Sequence, residues 1–412
     1  MPLELPIKGH PWPQLREAMA AMRDGDLDWK HGRHGAYVWY ADDHLEDVLR
    51  EAFGMFLVEN GLGMRAFPSI ARMENETLAM VRSLLHGDDE TAGIFTSGGT
   101  ESIFLAILAM REWAKHEKPK AASPTIVAPH SAHPALNKAA HMQGLNVVRV
   151  PVASDYRADV AALEAAITPD TIGLYVSAPT YSLGMIDPVE EVAALAERRG
   201  LWLHVDACVG GILSPFVREC GYQVPSFDFA IPGVTSISAD LHKSGFAAKP
   251  ASTVSFRSRA HREFARYTFD DWPSGVYTSL TFTGSRPGGA IAAAWAALNF
   301  LGRNGYREIA AASMRAKEKT IAGLTSIEGV RVHGAPPVYA FSWGAPGADM
   351  GAVAAAMARR GFMCGQTTSP PGIHFMATPV HEAAADDYAT AAAESLAEAR
   401  AAGAESKAAA YN

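Results

Sequence analysis

TIVAPHSAHPALNKAAHMQGLNVVRV, residues 125–150, repeats on a small scale the plan of the whole chain. Thr125–Ala128 is a short apolar run, Ala135–Met142 carries a helical pattern, and Asn146–Val150 is β-rich again. The same alternation continues outward. Gly173–Ser177, Leu201–Val205, Phe229–Ile231 and Thr253–Phe256 read as strands, with helical patterns at Asp159–Ala166 and Val189–Arg199. Strands this continuously apolar are buried on both faces, which predicts an α/β fold with a mostly parallel sheet covered by helices. Ligands of such sheets bind beyond the carboxyl ends of the strands, so the loops there are where chemistry is expected.

Upstream, His44–Glu59, Met73–Leu85 and Ser102–His116 have helical apolar spacing. The first 40 residues read as irregular, with Trp12, Trp29, Tyr37, Trp39 and Tyr40 scattered among polar positions. Such a segment has no core of its own and is expected to lie across another surface, such as a partner subunit. Downstream, a helical pattern over Gly289–Leu301 leads out of the sheet. Arg307–Ile327, short strands around Val330–His333 and Ala340–Trp343, and two alanine-rich helices predict a small C-terminal α+β domain. The expected division is 1–60 (N-terminal segment and helix), 61–301 (large ligand-binding domain) and 302–412 (small domain).

Composition bounds the function. With 48% hydrophobic and 19% charged residues, the 412-residue chain is that of an ordinary globular protein. A net charge of -8 argues against nucleic-acid binding, which needs a basic surface. Three scattered cysteines make a disulfide framework unexpected and suit a reducing compartment. The proline-broken start MPLELPIKGHPWPQL has no apolar signal-peptide core, and no uncharged apolar run reaches membrane-spanning length. The cytoplasm, without membrane attachment, is the expected location.

Four segments carry chemistry. In Ser238–Gly245 (SADLHKSG), Lys243 follows an apolar stretch and sits beside His242. A lysine used as a covalent nucleophile must lose its proton, and burial at a sheet edge favours that. Taken alone, a lysine next to a glycine is usually a surface residue. In LWLHVDA (201–207), Asp206 stands at a strand's carboxyl end, where a buried acid needs a partner. A protonated pyridine nitrogen is one such partner, and an ordinary turn cap is the alternative. TSGGTES (96–102) opens a helix, so its free N–H groups, its paired glycines and Thr100 suit a phosphate. It has neither the Walker lysine nor GxGxxG spacing. His130 and His133 have an H-x-x-H spacing, but no third metal ligand accompanies them; a flat imidazole stacked on a heteroaromatic ring is the better use, and no metal site is expected.

The order of these segments resembles that of the sphingosine-1-phosphate lyase group of the pyridoxal-phosphate-dependent decarboxylase family, whose members have the aspartate-aminotransferase fold (fold type I). The resemblance runs from about Tyr37 to Leu301. It rests on Phe67-Pro68-Ser69, TSGGTES, Ala132-His133-Pro134-Ala135, HVDACVGG (204–211), DLHKSGFAAK (240–249) and GSRPGG (284–289). It implies pyridoxal 5'-phosphate held by Lys243 as a Schiff base, with Asp206 on the pyridine nitrogen and His133 stacked on the ring. It further implies that Gly99, Thr100 and His242 hold the phosphate. Gly284 and Ser285 would reach that phosphate from the other subunit of a homodimer, and Lys249 would lie near the substrate.

Departures from the family pattern bear on the substrate. Gly63 stands where the lyases have a histidine and Arg65 where they have an aspartate, so Arg65 offers a different anion contact. Leu183 replaces an aromatic or histidine, and Ser244 the tyrosine after the lysine. The resemblance implies a carbon–carbon lyase that cleaves a 2-amino-3-hydroxy compound, with an amino-acid decarboxylase as the alternative. Transamination ranks third, and a non-catalytic protein that kept the fold belongs to another class. Lys243, Tyr181, Tyr277 or a tyrosine of the N-terminal segment are candidates for moving protons.

Overall fold

The computed structural model describes residues 4–402. Its centre is a seven-stranded sheet. The strands are β1 (Ala92–Thr96), β2 (Thr125–Pro129), β3 (Asn146–Val150), β4 (Thr171–Ser177), β5 (Trp202–Asp206), β6 (Ser236–Ala239) and β7 (Ser252–Phe256), in the order β1-β7-β6-β5-β4-β2-β3. β7 runs antiparallel to both neighbours, whereas every other pairing is parallel. The carboxyl ends of β1, β2, β4, β5 and β6 therefore all open on one side.

Alternate residues of each strand feed two cores, as the two-residue period of a strand requires. Val127, Leu174, Val176, Leu203 and Val205 face one core, while Ile126, Ala128, Tyr175 and Trp202 face the other. Helix Gly99–Glu117 covers the second face with Ile103, Ala106, Ile107 and Met110. Helix Val189–Arg199 covers the first with Val192, Leu195 and Ala196. Burial on both faces is why these strands read as unbroken apolar runs.

A helical stretch, Gly288–Thr325, leads away from the sheet and breaks at Gly302, whose φ of 53° and ψ of -172° are not helical. Beyond it lies a four-stranded antiparallel sheet built from Arg331–Val332, Ala340–Gly344, Pro371–Met376 and Gly365–Thr368. Helices Met350–Arg359 and His381–Ala402 accompany it. The N-terminal segment reaches back to this sheet: the Gly35 N–H donates to the Met363 carbonyl, and the Met376 N–H donates to that of Gly35.

Two expectations need correction. Phe229–Ile231 is a turn with Phe229 and Ile231 buried, not a strand, and the strand lies at Ser236–Ala239. The first 40 residues are not wholly irregular, because Trp12–Met22 is a helix, and none of its residues is buried. Proline near its first turn presets the helical φ there, a start that an aromatic-and-proline reading obscures.

Candidate active site

Five strand ends deliver their side chains to one cavity of about 390 Å³. Gly99 and Thr100 follow β1, His133 follows β2, Tyr181 follows β4, Asp206 ends β5, and His242 and Lys243 follow β6; all of them line it. The sequence separates these residues by up to 144 positions (243 − 99), and the parallel topology unites them.

Asp206 is buried and in register with Ser238 on β6. The Tyr175 hydroxyl donates to its Oδ2 at 2.6 Å, while the Cys208 N–H and the Ser238 hydroxyl donate to Oδ1 at 3.1 and 3.2 Å. Burial opposes its charge, but nearby His133 and these donors outweigh that and hold the carboxyl below its ordinary value. Three donors leave one of the carboxylate's roughly four lone-pair positions for a further N–H. Burial keeps His133 below the usual histidine value, and its ring meets that of Tyr181 edge-on at 5.6 Å.

Lys243 lies in a turn after β6 with its Nζ 2.9 Å from Asp240 Oδ2. Burial alone would lower its pKa, but the Asp240 carboxylate, together with Cys208 and Asp206, raises it above the ordinary lysine value. Asp240 is fully buried and accepts from Ser252 Oγ at 2.5 Å; His242 Nε2 is 3.7 Å from its Oδ2. The Ala251 N–H fixes the His242 ring through Nδ1 at 3.0 Å.

At the helix start, a Cβ on Gly99 would sit 2.7 Å from Cys208 Sγ and 2.9 Å from Asp240 Oδ2, so only glycine leaves this cradle open. Glu101, at the third helical position, closes the turn by accepting the Ser97 N–H at 2.7 Å. Its other oxygen accepts the Phe282 N–H at 3.1 Å and ties down the segment before Gly284. The helix start offers free N–H groups to an anion, Asp206 an acceptor to a pyridinium and Lys243 an amine to an aldehyde. These donors and acceptors fit pyridoxal phosphate.

Some predicted residues lie elsewhere. Gly284 and Ser285 are exposed on a loop outside this cavity. Arg65 is likewise exposed and lines none of the described cavities. Lys249 borders a separate, mostly apolar cavity of about 490 Å³ with Trp39, Leu45, Phe53 and Phe246. Among the described residues no group of three or more His, Cys, Asp or Glu is placed to hold a metal. Sequence reasoning gave no role to Tyr175, Glu101 or Asp240. Only the last two left a signal, an acid at the third helical position and an acid three residues before the lysine.

A mostly parallel sheet that brings a lysine, an ionised aspartate and a glycine-lined helix start to one cavity defines an α/β protein of the pyridoxal-phosphate fold type I. The pyridoxal-dependent decarboxylase conserved domain matches residues 1–328, and the chain belongs to that family, whose cofactor is pyridoxal 5'-phosphate. Sphingosine-1-phosphate lyase of Dictyostelium discoideum is 40% identical over 334 residues, 81% of this chain and 63% of that protein. Sphingosine-1-phosphate lyase 1 of Mus musculus is 38% identical over 378 residues, 92% of this chain and 66% of that protein. The chain thus spans slightly less than two thirds of each of these relatives. The solved sphingosine-1-phosphate lyase of Burkholderia pseudomallei is 35% identical, with a TM-score of 0.93 over 98% of this chain and 94% of that one.

Proposed function

We propose that this protein is a pyridoxal-phosphate-dependent carbon–carbon lyase that cleaves a 2-amino-3-hydroxy compound into an aldehyde and a smaller amine. The observation that carries this reading is the convergence of Lys243, Asp206, His133 and Gly99 in one cavity. The likeness to a lyase structure over nearly the whole chain supports it. When bound, the cofactor supplies an electron sink for charge developing at the amine-bearing carbon.

The chain's own residues do the rest. Lys243, its Nζ 2.9 Å from Asp240 Oδ2, would anchor the cofactor covalently. Asp206, held ionised against burial by His133, Tyr175 and Cys208, would accept the pyridine N–H. His133 would lie against the ring face, and Gly99, Thr100 and His242 would take the phosphate. Tyr181 borders the cavity beside His133 and is placed to move the proton of the substrate's 3-hydroxyl. Arg65 and Lys249, the sequence candidates for an anionic substrate end, lie outside this cavity, which favours a substrate without one. Gly284 and Ser285 complete the phosphate site of the other subunit in a homodimer. The three free cysteines suit a cytoplasmic protein.

Purified holoprotein is expected to be yellow, and borohydride should fix the cofactor to the peptide bearing Lys243. With 2-amino-3-hydroxy amines it should release aldehyde, and Lys243→Ala should abolish turnover while keeping the fold. Label on another lysine would sink the site assignment. Release of CO2 from amino acids without aldehyde formation would make the protein a decarboxylase instead.

A further inference from the structure

A second cavity of about 320 Å³ adjoins the first, and Tyr181 and His133 line both. Five segments build it: Tyr37, the loop 130–134 after β2, Val152 after β3, the loop 181–183 after β4, and the hairpin 364–374 of the small sheet. Among the described residues, no Asp, Glu, Lys or Arg lines it. Its polar groups are mainly hydroxyls, amides and imidazoles, and its size suits a small ligand.

His374 stands out in this wall. It is 2% exposed, and neither ring nitrogen has a hydrogen-bond partner among the described residues. Its ring meets the Tyr181 ring at 4.6 Å, and a Cβ on Gly365 would fall 1.9 Å from it, so the imidazole is packed in place against a glycine. Burial lowers its pKa to about 4, so at neutral pH it presents one N–H donor and one acceptor nitrogen. A buried polar group of this kind calls for a partner. A hydroxyl can pair with either nitrogen, accepting from the N–H or donating to the bare one. A phosphate would enter a compartment without a cation and be desolvated with nothing to pair its charge.

We propose that this cavity is the specificity compartment of the active site and that His374, in a wall that also holds Gln366 and Ser182, binds an uncharged hydroxyl group of the substrate. The proposal rests on the lyase reading above and narrows its substrate class to small, unphosphorylated hydroxy amines. Cleavage of threoninol illustrates the balance. Its 3-hydroxyl proton leaves, the bond between C2 and C3 breaks, C3 departs as acetaldehyde, and C2 takes up a proton to give ethanolamine.

The test compares threoninol, its analogue without the primary hydroxyl and its primary phosphate ester on the holoenzyme. KM and kcat are measured together with binding by calorimetry. Threoninol is expected to bind roughly tenfold better than either relative. His374→Phe, which keeps the ring volume, should raise its KM roughly tenfold and erase the preference over the deoxy analogue, with kcat and the yellow absorbance little changed. His374→Gln should restore part of the preference and stands in should the Phe variant not fold. Wild-type preference for the phosphate ester, or discrimination that survives in both variants, overturns the proposal. If no amine is cleaved, the lyase reading fails, and the calorimetric preference still decides the role of His374.

Discussion

At the scale of single residues, the ion pair between Lys243 and Asp240 decides when the lysine can react. An amine condenses with an aldehyde only in its neutral form, and a buried carboxylate 2.9 Å away favours the ammonium. Because the lysine's pKa is raised above its ordinary value, its neutral fraction at pH 7 is small and grows tenfold with each pH unit. Cofactor uptake by the apoprotein should therefore accelerate as pH rises. Asp240→Asn removes the carboxylate, lowers the lysine's pKa and should move the uptake profile at least about one unit toward acid. Stopped-flow absorbance of pyridoxal phosphate loading reads this directly; an unmoved profile would show that Asp240 does not control the lysine's charge. Lys243, Asp206 and His133 were legible because each stands in a long motif. Tyr175 was not. It lies within an apolar strand where a tyrosine reads as core, and only the register of β4 against β5 sets its hydroxyl on Asp206.

At the scale of elements, legibility followed how a strand is buried. β2, β4 and β5 offer apolar side chains to two cores and announce themselves. β6 is SISA: Ser236 and Ser238 spend their positions on Trp202, His204 and Asp206, so a buried central strand looks like a loop. The more apolar neighbour Phe229–Ile231 attracts the assignment instead. β1 went unread because it contains Gly93 and runs straight into the TSGGT turn. The loop after β4 shows how elements are joined across the site. Gly184 has φ +72°, and a Cβ there would lie 2.0 Å from the Ala340 carbonyl oxygen of the small sheet. Gly184→Ala therefore combines left-handed strain with a backbone clash and should cost about 3 kcal/mol or more. Gly347→Ala, at φ +82° with open space around it, should cost only about 1 kcal/mol. Denaturant unfolding of the two variants separates the terms; equal losses would mean that the contact with Ala340 contributes nothing.

At the scale of the whole molecule, the apolar surface needs a partner. Helix Trp12–Met22 buries none of its residues, and an isolated 11-residue helix is marginal in water. Its Trp12, Leu15, Met19 and Met22 are all exposed, and their 3-4-3 spacing puts them on one face. Met55, Leu57, Val58 and Leu62 form a second exposed apolar group, with Val58 at 85%, and Trp272, Val276 and Phe282 a third. The third lies on the segment leading to Gly284 and Ser285, the residues proposed to complete a neighbouring phosphate site. A symmetric dimer would cover all three groups and turn the N-terminal helix into part of a shared core. Light scattering coupled to gel filtration should accordingly give a dimer at micromolar concentration. Trp12→Lys combined with Met19→Lys should weaken it at least about tenfold, since each charge would enter an apolar interface. Gly284→Asp should leave the dimer intact and instead weaken cofactor retention by placing a carboxylate beside a phosphate. A wild-type chain that is monomeric yet holds its cofactor as tightly as a dimer would overturn the shared-site arrangement and leave Gly284 and Ser285 without a role.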